Sequence, residues 1–157
     1  MDKIPMTGHG FTQLEEELRR LKFVERPAVA RALEEARGHG DLSENAEYEA
    51  AKERQAFIER RVAEVETKLS RAQIIDTSKL TGDTVKFGAT VTVVDEDVDE
   101  EMSFQIVGED EADIKKHRLS IKSPLARALI GKQVGEAVEV RTPGGGKVYE
   151  LVKIVYR

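Results

Sequence analysis

The sequence predicts a two-domain protein of class α plus α+β, with a helical domain over residues 1–76 and an α+β domain over residues 77–157. Two observations support this prediction. In the first half, apolar residues recur every three or four positions, as on one face of a helix. In the second half, apolar and polar residues alternate and β-branched side chains are frequent, as in strands. The pattern changes near residue 77.

The first helical stretch has two apolar registers. The first is Phe11, Leu14, Leu18 and Leu21, and the second, after a proline, is Val29, Ala32, Leu33 and Ala36. Because proline lacks an amide proton and clashes with the preceding turn, Pro27 either kinks one helix or begins a new one. Gly38 and Gly40 are suited to end this stretch, since glycine readily adopts the positive φ of a helix C-terminus.

The second helix is predicted from Glu44 to Ala72 and has the apolar spacing of a coiled coil. Its apolar residues step by four and three, and they are Ile58, Val62, Val65, Leu69 and Ala72. Such a helix is roughly 40 Å long at 1.5 Å per residue. Because its connection to the first helix is short, we expect a long antiparallel α-helical coiled-coil hairpin.

The C-terminal domain is predicted as a bent antiparallel β-sheet with one short helix. Strand character is found in Val85–Val94, Ser103–Val107, Ala137–Thr142 and Val148–Tyr156. Pro143–Gly146 is a predicted hairpin turn, and Asp95–Glu101 is interpreted as a solvated acidic hairpin tip. The helix extends from about Pro124 to Ile130, with Ser123 as its N-cap.

Composition narrows the possible functions. The 157 residues include no Cys, so disulfides, thiolate metal sites and cysteine nucleophiles are excluded. No apolar run is long enough for a signal peptide or a membrane span, and we expect a cytoplasmic protein without a membrane partner. The net charge of −5 argues against nonspecific wrapping of nucleic acid. Any contact with nucleic acid is therefore expected to be local.

Asp41 and Glu44, at the predicted turn between the helices, form the candidate site, and two interpretations are open. An acid followed three residues later by Glu at a helix start matches a capping box, in which both side chains accept hydrogen bonds from free backbone amides. Two carboxylates one turn apart are also suitable ligands for Mg²⁺, which needs few protein ligands when phosphates and waters supply the rest. Such a half-site would act only beside another metal site.

The other chemistry-bearing residues have weaker signals. The three histidines, His9, His39 and His117, lack the spacing of a zinc or acid–base set. Arg37, Lys52 and Arg54 lie near the predicted turn. Helix charges of this kind are usually only solvated, although a protein that works near nucleic acid would use a few cations set back from its acids.

Several motifs, in order along the chain, resemble the bacterial transcript cleavage factors of the GreA/GreB family. They are PMTGHGFTQLEEEL (Pro5–Leu18), GDLSENAEYEAAKERQ (Gly40–Gln55), FGATVTV (Phe87–Val93), GEDEAD (Gly108–Asp113), SPLARALIGK (Ser123–Lys132) and TPGG (Thr142–Gly145). The resemblance spans essentially the whole chain. Within the family, DLSEN argues against the inhibitory relatives, and the mixed charges of the arm favour the GreA branch, which releases shorter RNA pieces.

The resemblance implies a transcription elongation factor that is not itself an enzyme. It would bind RNA polymerase, insert its coiled coil into the secondary channel and stimulate cleavage of backtracked RNA by the polymerase. Asp41 and Glu44 would be the catalytic and metal-binding residues, sharing Mg²⁺ with the polymerase and holding none alone. Arg37, Lys52 and Arg54 would lie near the nascent RNA 3′ end.

The resemblance also implies an FKBP-like C-terminal domain that docks on the polymerase, with Ser123, Pro124 and Leu125 at the matching positions. Prolyl isomerase activity does not follow, because the chain has no Trp and only 5% aromatic residues. We expect a monomer when the protein is active.

Alternatives from other classes are a coiled-coil adaptor or chaperone, an inhibitory channel-binding factor and an autonomous Mg²⁺ nuclease. An adaptor would use the acids at the turn only as helix caps. A free nuclease would need a more enclosed site than two carboxylates on a solvated rod.

Overall fold

The fold is that of a computed structural model, which describes residues 2–38 and 45–156. The chain separates into two compact units. The helical unit consists mainly of Phe11–Ala72, and the sheet unit joins Lys3–Gly10 to residues 73–156. A helical N-terminal region and a curled, mixed C-terminal sheet are thus observed. Across the described ranges, no helix is both long and apolar enough to span a membrane.

The helical elements are α1 (Gly8–Arg20), a π-helical turn (Leu21–Glu25), α2 (Arg26–Gly38) and α3 (Asn45–Ser70). The first three follow each other without a break, and α1 begins three residues before Phe11, the first residue of the apolar register. Of the two alternatives for Pro27, the second is confirmed: Pro27 is the second residue of α2 and lies in its first turn, directly after the π turn.

The π turn explains the two apolar registers. The backbone amide of Arg26 donates to the carbonyl of Leu21, five residues back, so this turn holds one residue more than an α-helical turn. Without the π turn, the first apolar register would continue at positions that each lie one residue before the residues of the second register. The extra residue lets Leu21 and Val29, which are 5% and 1% exposed, contribute to one buried cluster.

Helix α3 packs against this composite helix through a narrow apolar seam. The buried cluster contains Leu21, Val29, Leu33, Ala51, Ile58 and Val62. Ion pairs border it: Glu17 pairs with Arg61, and Glu25, farther along the first stretch, pairs with Arg54, earlier on α3. The residue farther along the first stretch thus pairs with the residue that comes earlier on α3. These pairs therefore indicate that the two helices run in opposite directions.

The sheet unit contains a two-stranded and a five-stranded sheet. Its strands are β1 (Ile4–Thr7), β2 (Ala72–Ile75), β3 (Thr90–Asp95), β4 (Glu100–Val107), β5 (Arg118–Ser120), β6 (Ala137–Thr142) and β7 (Gly145–Val155). The larger sheet has the order β5-β4-β3-β7-β6, and β1 pairs with β2. The predicted hairpin at Pro143–Gly146 is confirmed, since Thr142 lies opposite Gly145 in the β6–β7 pair.

The prediction of an antiparallel sheet was wrong for one pair of strands. Strand β5 runs parallel to β4, whereas the other three pairs of the larger sheet are antiparallel. Residues 108–117 connect these strands and include two short 3₁₀ turns, so the chain crosses over and re-enters the sheet in the same direction.

The predicted strand Val85–Val94 begins only at Thr90. Gly88 has φ of +87°, which interrupts an extended conformation. The backbone before it is satisfied elsewhere: the amide of Val85 donates to the carbonyl of Lys132 over 2.9 Å. This stretch is still buried, which explains why its composition resembled a strand.

The interpretation of Asp95–Glu101 as a wholly solvated tip was also wrong at its first residue. Asp95 is only 3% exposed, and its carboxylate accepts hydrogen bonds from the Asp97 amide at 3.0 Å and from Lys147 Nζ at 3.2 Å. These bonds lower the pKa of Asp95, and the hydrogen bond from the Asp97 amide has the largest effect. Asp95 therefore fixes the start of the turn.

The core of the sheet unit lies between the larger sheet and α4 (Pro124–Leu129). Val91, Val93, Ile106, Leu129 and Leu151 are each 0% exposed. Helix α4 begins as predicted, because Ser123 Oγ accepts a hydrogen bond from the Ala126 amide at 3.2 Å.

Candidate functional site

The two acids of the candidate site, Asp41 and Glu44, lie outside the described residues, as does His39. Both the capping-box and the metal-ligand interpretations therefore stay predictions. The described chain reaches the end of α2 at Gly38 and resumes at Asn45, the first residue of α3. Helix α3 has 26 residues, which corresponds to a length of about 39 Å.

Tyr48 is the residue on which two predicted cations converge. The guanidinium carbon of Arg37 lies 5.9 Å from the centre of the Tyr48 ring, and Lys52 Nζ lies 5.8 Å from it. Both distances are within the range of cation–π attraction. Tyr48 therefore links the last turn of α2 to the first turns of α3.

The electrostatics of Tyr48 follow from these neighbours. Hydrogen bonding from the Arg37 guanidinium, followed by the positive charge of Lys52, lowers the pKa of the Tyr48 phenol below its ordinary value of 10.0, and these effects outweigh burial. Sequence reasoning overlooked Tyr48, although its spacing of four residues from Lys52 places the two on one helix face.

Arg54 differs from the other two predicted cations because it has a carboxylate partner. Its Nη2 donates to Glu25 Oε2 over 2.7 Å. Arg26, the residue after Glu25, makes a bidentate pair with Glu59, which lies more than one turn beyond Arg54 along α3, at 2.8 and 2.9 Å. Of the three, Arg37 and Lys52 thus lie together on Tyr48, whereas Arg54 contributes to a set of bridges between the helices.

The predicted polymerase-binding residues begin α4 in the sheet unit. Ser123 caps the helix, Pro124 at its first position is exposed, and Leu125 packs partly against the core. Proline is suited to this position because its missing amide has no acceptor in the first turn anyway. The segment therefore presents Pro124 on a rigid helix start.

A second constellation, which sequence reasoning did not assign, connects the N-terminal strand to residues 109–111. Thr7 is the N-cap of α1, and its Oγ1 accepts a hydrogen bond from the Gly10 amide at 3.0 Å. The buried carboxylate of Glu111 accepts from the Thr7 amide at 3.0 Å and also from the Thr7 hydroxyl. This arrangement is a capping box in which the acid comes from a distant segment.

Gly10 makes room for that acid. An ideal Cβ on Gly10 would lie 2.2 Å from Cδ of Glu111. In an ordinary capping box, Glu occupies this third helical position itself. The motifs Pro5–Leu18 and Gly108–Asp113 both carried the family resemblance, and the structure brings Thr7 and Gly10 of the first into contact with Glu111 of the second.

Among residues 2–38 and 45–156, no group of three or more His, Asp or Glu side chains could hold a metal ion. For Mg²⁺, the donor chemistry of Asp41 and Glu44 is suitable, because carboxylate oxygens are the hard ligands that this ion takes in proteins.

Comparisons with known proteins identify the same family in both halves of the chain. A family model described as transcription elongation factor, N-terminal, matches residues 4–74, and one described as transcription elongation factor, GreA/GreB, C-terminal, matches residues 80–156. Transcription elongation factor GreA of Caulobacter sp. (strain K31) is 65% identical over 154 residues, which cover 98% of each chain. GreA of Beijerinckia indica subsp. indica is 62% identical over 157 residues, which cover 100% of each chain.

Among solved structures, the crystal structure of GreA factor homolog 1 of Thermus thermophilus is similar over 98% of this chain and 99% of its own, with 29% identity and a TM-score of 0.45. Together, the two family models cover nearly all of the chain, and the curated relatives exceed 60% identity. This chain belongs to the GreA/GreB family of transcription elongation factors.

Proposed function

We propose that this protein binds RNA polymerase in the cytoplasm, inserts its helical unit as a coiled-coil hairpin into the secondary channel, and stimulates cleavage of backtracked nascent RNA by the polymerase. Membership of the GreA/GreB family is the single observation that carries this proposal. The cleavage restores an aligned RNA 3′ end, and the protein acts as a factor rather than as a free nuclease.

In this proposal, Asp41 and Glu44 complete a metal site that belongs to the polymerase. Their carboxylates help to hold the second Mg²⁺, whose chemistry is to orient or deprotonate a water for attack on a phosphodiester. No metal is retained by the protein alone. The narrow seam of α2 and α3, bordered by ion pairs, supports this role because it gives a long element without a thick core.

The cations near the loop have a secondary role in the proposal. Arg37 and Lys52 lie one to two turns from the loop, where their charge can attract RNA phosphates. Arg54 is paired with Glu25, so its contribution is mainly to hold the helices together.

The sheet unit, as the FKBP-like domain of the family, docks the monomeric protein on the polymerase through Ser123, Pro124 and Leu125. The exposure of Pro124 on a capped helix start supports this assignment. A docking surface on the sheet unit leaves the helical unit free to enter the channel.

A cleavage assay on a backtracked elongation complex tests the proposal. We expect Asp41→Ala with Glu44→Ala to abolish cleavage while leaving polymerase binding within about twofold, because the acids act on the metal and not on docking. Glu49→Ala is the matched control, since Glu49 is an exposed acid in the second turn of α3, and it should retain cleavage. Normal cleavage by the double variant, or RNA cleavage by the factor without polymerase, would refute the proposal.

A further inference from the structure

The outer face of the larger sheet has a groove lined by polar and basic side chains. Its volume is about 380 Å³, and it is lined by Thr90, Ser103, Phe104, Gln105, Lys116, His117 and Arg118. This volume falls within the range of ~300–1,000 Å³ that is usual for ligand sites. The residues that line the groove are distant in sequence from α4 and from Asp41 and Glu44, and the activity proposed above does not use them.

Strand register explains how the groove is formed. Gln105 lies opposite Thr90 on one side and opposite Arg118 on the other. Because residues opposite each other share a face of a sheet, these three side chains form a row across three strands. Ser103, two residues before Gln105, lies on the same face. The parallel entry of β5 is what brings Arg118 into this row.

The turn before β5 adds two more basic residues. His117 has φ of +59°, a left-handed conformation that is uncommon for residues other than glycine, and it ends the 3₁₀ turn Ile114–Lys116. The His117 carbonyl accepts a hydrogen bond from the Gln105 amide at 2.9 Å, which ties this turn to β4. Lys116 and His117 are therefore held at the groove by the backbone.

Within the described chain, Lys116, His117 and Arg118 form no ion pair with a carboxylate. Two acids lie nearby: Asp113 pairs with Arg118 through backbone hydrogen bonds while its carboxylate accepts from the Lys115 amide at 3.1 Å, and the carboxylate of Glu111 accepts from Thr7. Adjacent cations repel each other, and the net charge of the chain is −5. Basic side chains that make no ion pair within the described chain can attract an anion locally, even in an acidic protein.

We propose that this groove binds a phosphate group. Phosphates are recognised by Arg and Lys together with Ser, Thr and Gln side chains, and the groove contains this set in Arg118, Lys116, Ser103, Thr90 and Gln105. A carboxylate has only two oxygens and one charge, and it would leave part of this set without an acceptor. The phosphate comes either from a free phosphate-bearing molecule or from a nucleic-acid backbone.

An NMR titration of the full chain, without polymerase and at constant ionic strength in chloride, tests this site. The probes are inorganic pyrophosphate, a short single-stranded RNA and acetate. We expect pyrophosphate or RNA to shift the amide resonances of residues 103–105 and 116–118 along a saturable curve. The two probes are compared at equal concentrations of phosphate groups. If RNA saturates the site at the lower concentration, the ligand is a nucleic-acid backbone; if pyrophosphate does, the ligand is a free phosphate-bearing molecule.

Three variants complete the test. Lys116→Gln and Arg118→Gln should each weaken binding at least about tenfold, because each removes a charge-assisted hydrogen bond. Lys86→Gln is the control, since Lys86 is an exposed lysine of the same unit outside the groove, and it should bind as the wild type does. Arg118 is half-buried, and its substitution could destabilise the fold. Lys116 is exposed, so Lys116→Gln tests the site without this complication.

The proposal is overturned by any of three results. The first is the absence of a saturable shift with both phosphate probes, as expected for cations that are merely solvated. The second is an equal response to acetate. The third is unchanged binding by Lys116→Gln. Because polymerase is absent from the titration, none of these results bears on the cleavage activity.

Discussion

The two units of this protein are stabilised in different ways. The helical unit has one line of buried residues between helices, and charged pairs close it on both sides. The sheet unit encloses its core between a five-stranded sheet and a helix, and several of its side chains are wholly inaccessible. The seam is enclosed by two helices only, whereas the core of the sheet unit is enclosed by a sheet and a helix.

This difference shows how one short chain combines a long element with a compact one. In the helical unit, each apolar residue faces only the partner helix, so ion pairs such as Glu17 with Arg61 cover the flanks of the seam. In the sheet unit, the same fraction of apolar residues surrounds a common centre. We therefore expect substitutions in the two units to differ in magnitude and in their dependence on pH.

The largest expected effect is in the sheet core. Leu151→Ala should lower the free energy of unfolding by about 3–5 kcal/mol, because the enclosed site cannot collapse around the cavity. Ile58→Ala in the seam should cost about 2–3 kcal/mol, since helices near solvent can move together. Urea unfolding followed through amide resonances of each unit would measure both. Leu151→Met is the control and should cost less than about 1.5 kcal/mol. A larger loss for Ile58→Ala than for Leu151→Ala would contradict the comparison.

An intermediate effect is expected at the capping box formed by Glu111 and Thr7. Glu111→Ala should lower the free energy of unfolding by about 2 kcal/mol, because it leaves the buried Thr7 amide without its acceptor. Glu111→Gln keeps an acceptor oxygen and should cost less. Thermal unfolding monitored by calorimetry provides the measurement.

Two glycines give a matched test of the same contact. Gly10→Ala should destabilise the protein by about 1–3 kcal/mol, because its Cβ would collide with Glu111. Gly8→Ala meets no atom within 4 Å and should be neutral or slightly stabilising. Equal effects of the two substitutions would show that the close contact with Glu111 is not important.

The smallest effect is expected for the ion pairs of the helical unit. Hydrogen bonding to Arg61 lowers the pKa of Glu17 from its ordinary value of 4.5. A depressed folded pKa contributes stability that is present above pH 4.5 and is lost as the pH falls through the folded pKa. The pair lies at the border of the seam and keeps about a quarter of each side chain exposed, so solvent screens part of the attraction, and Glu17→Gln should cost only about 0.5–1 kcal/mol at pH 7.

Urea unfolding of wild type and Glu17→Gln at a series of pH values tests this dependence. The difference between the two proteins should shrink below pH 4.5 and should also be reduced in high salt. Glu66→Gln is the control, because Glu66 makes a single, more exposed bond of 3.2 Å to Lys22 and should have a smaller effect. A difference that grows on acidification would exclude this role for Glu17.

Patterns along the chain predicted the long helices and most of the longer strands, but not β1, β2 or β5, and Ala72, predicted to end the second helix, begins β2. The steps of three and four residues predicted both long helices, and the shift between registers near Pro27 already marked the place of the π turn. Ser123 followed by Pro124 predicted the start of α4, because capping depends on neighbours in sequence. Alternation predicted β6 and the hairpin after it.

These patterns could not predict which distant segments pair with each other, or in which direction. The short strand β5 has only three residues, and nothing in its alternation indicates that it runs parallel to β4. Val85–Ala89 resembles a strand because most of it is buried, although its hydrogen bonds form no continuous ladder: Val85 bonds to Lys132, whereas Gly88 bonds to Ile106 of β4. The site residues Asp41 and Glu44 were identified by resemblance and by their place between helices, and their roles stay predictions.

The sequence by itself determined the two classes of element, the start of α4, the acidic pair between α2 and α3, and the family to which the chain belongs. These properties depend on periodicity and on neighbouring residues, which one chain displays directly. Only the tertiary structure decided that Glu111 completes the cap of a helix about 100 residues away, that Asp95 is buried, and that Arg118 joins Thr90 and Gln105 in a groove. Each of these depends on which distant segments pair, and pairing is set by the packing of the whole unit.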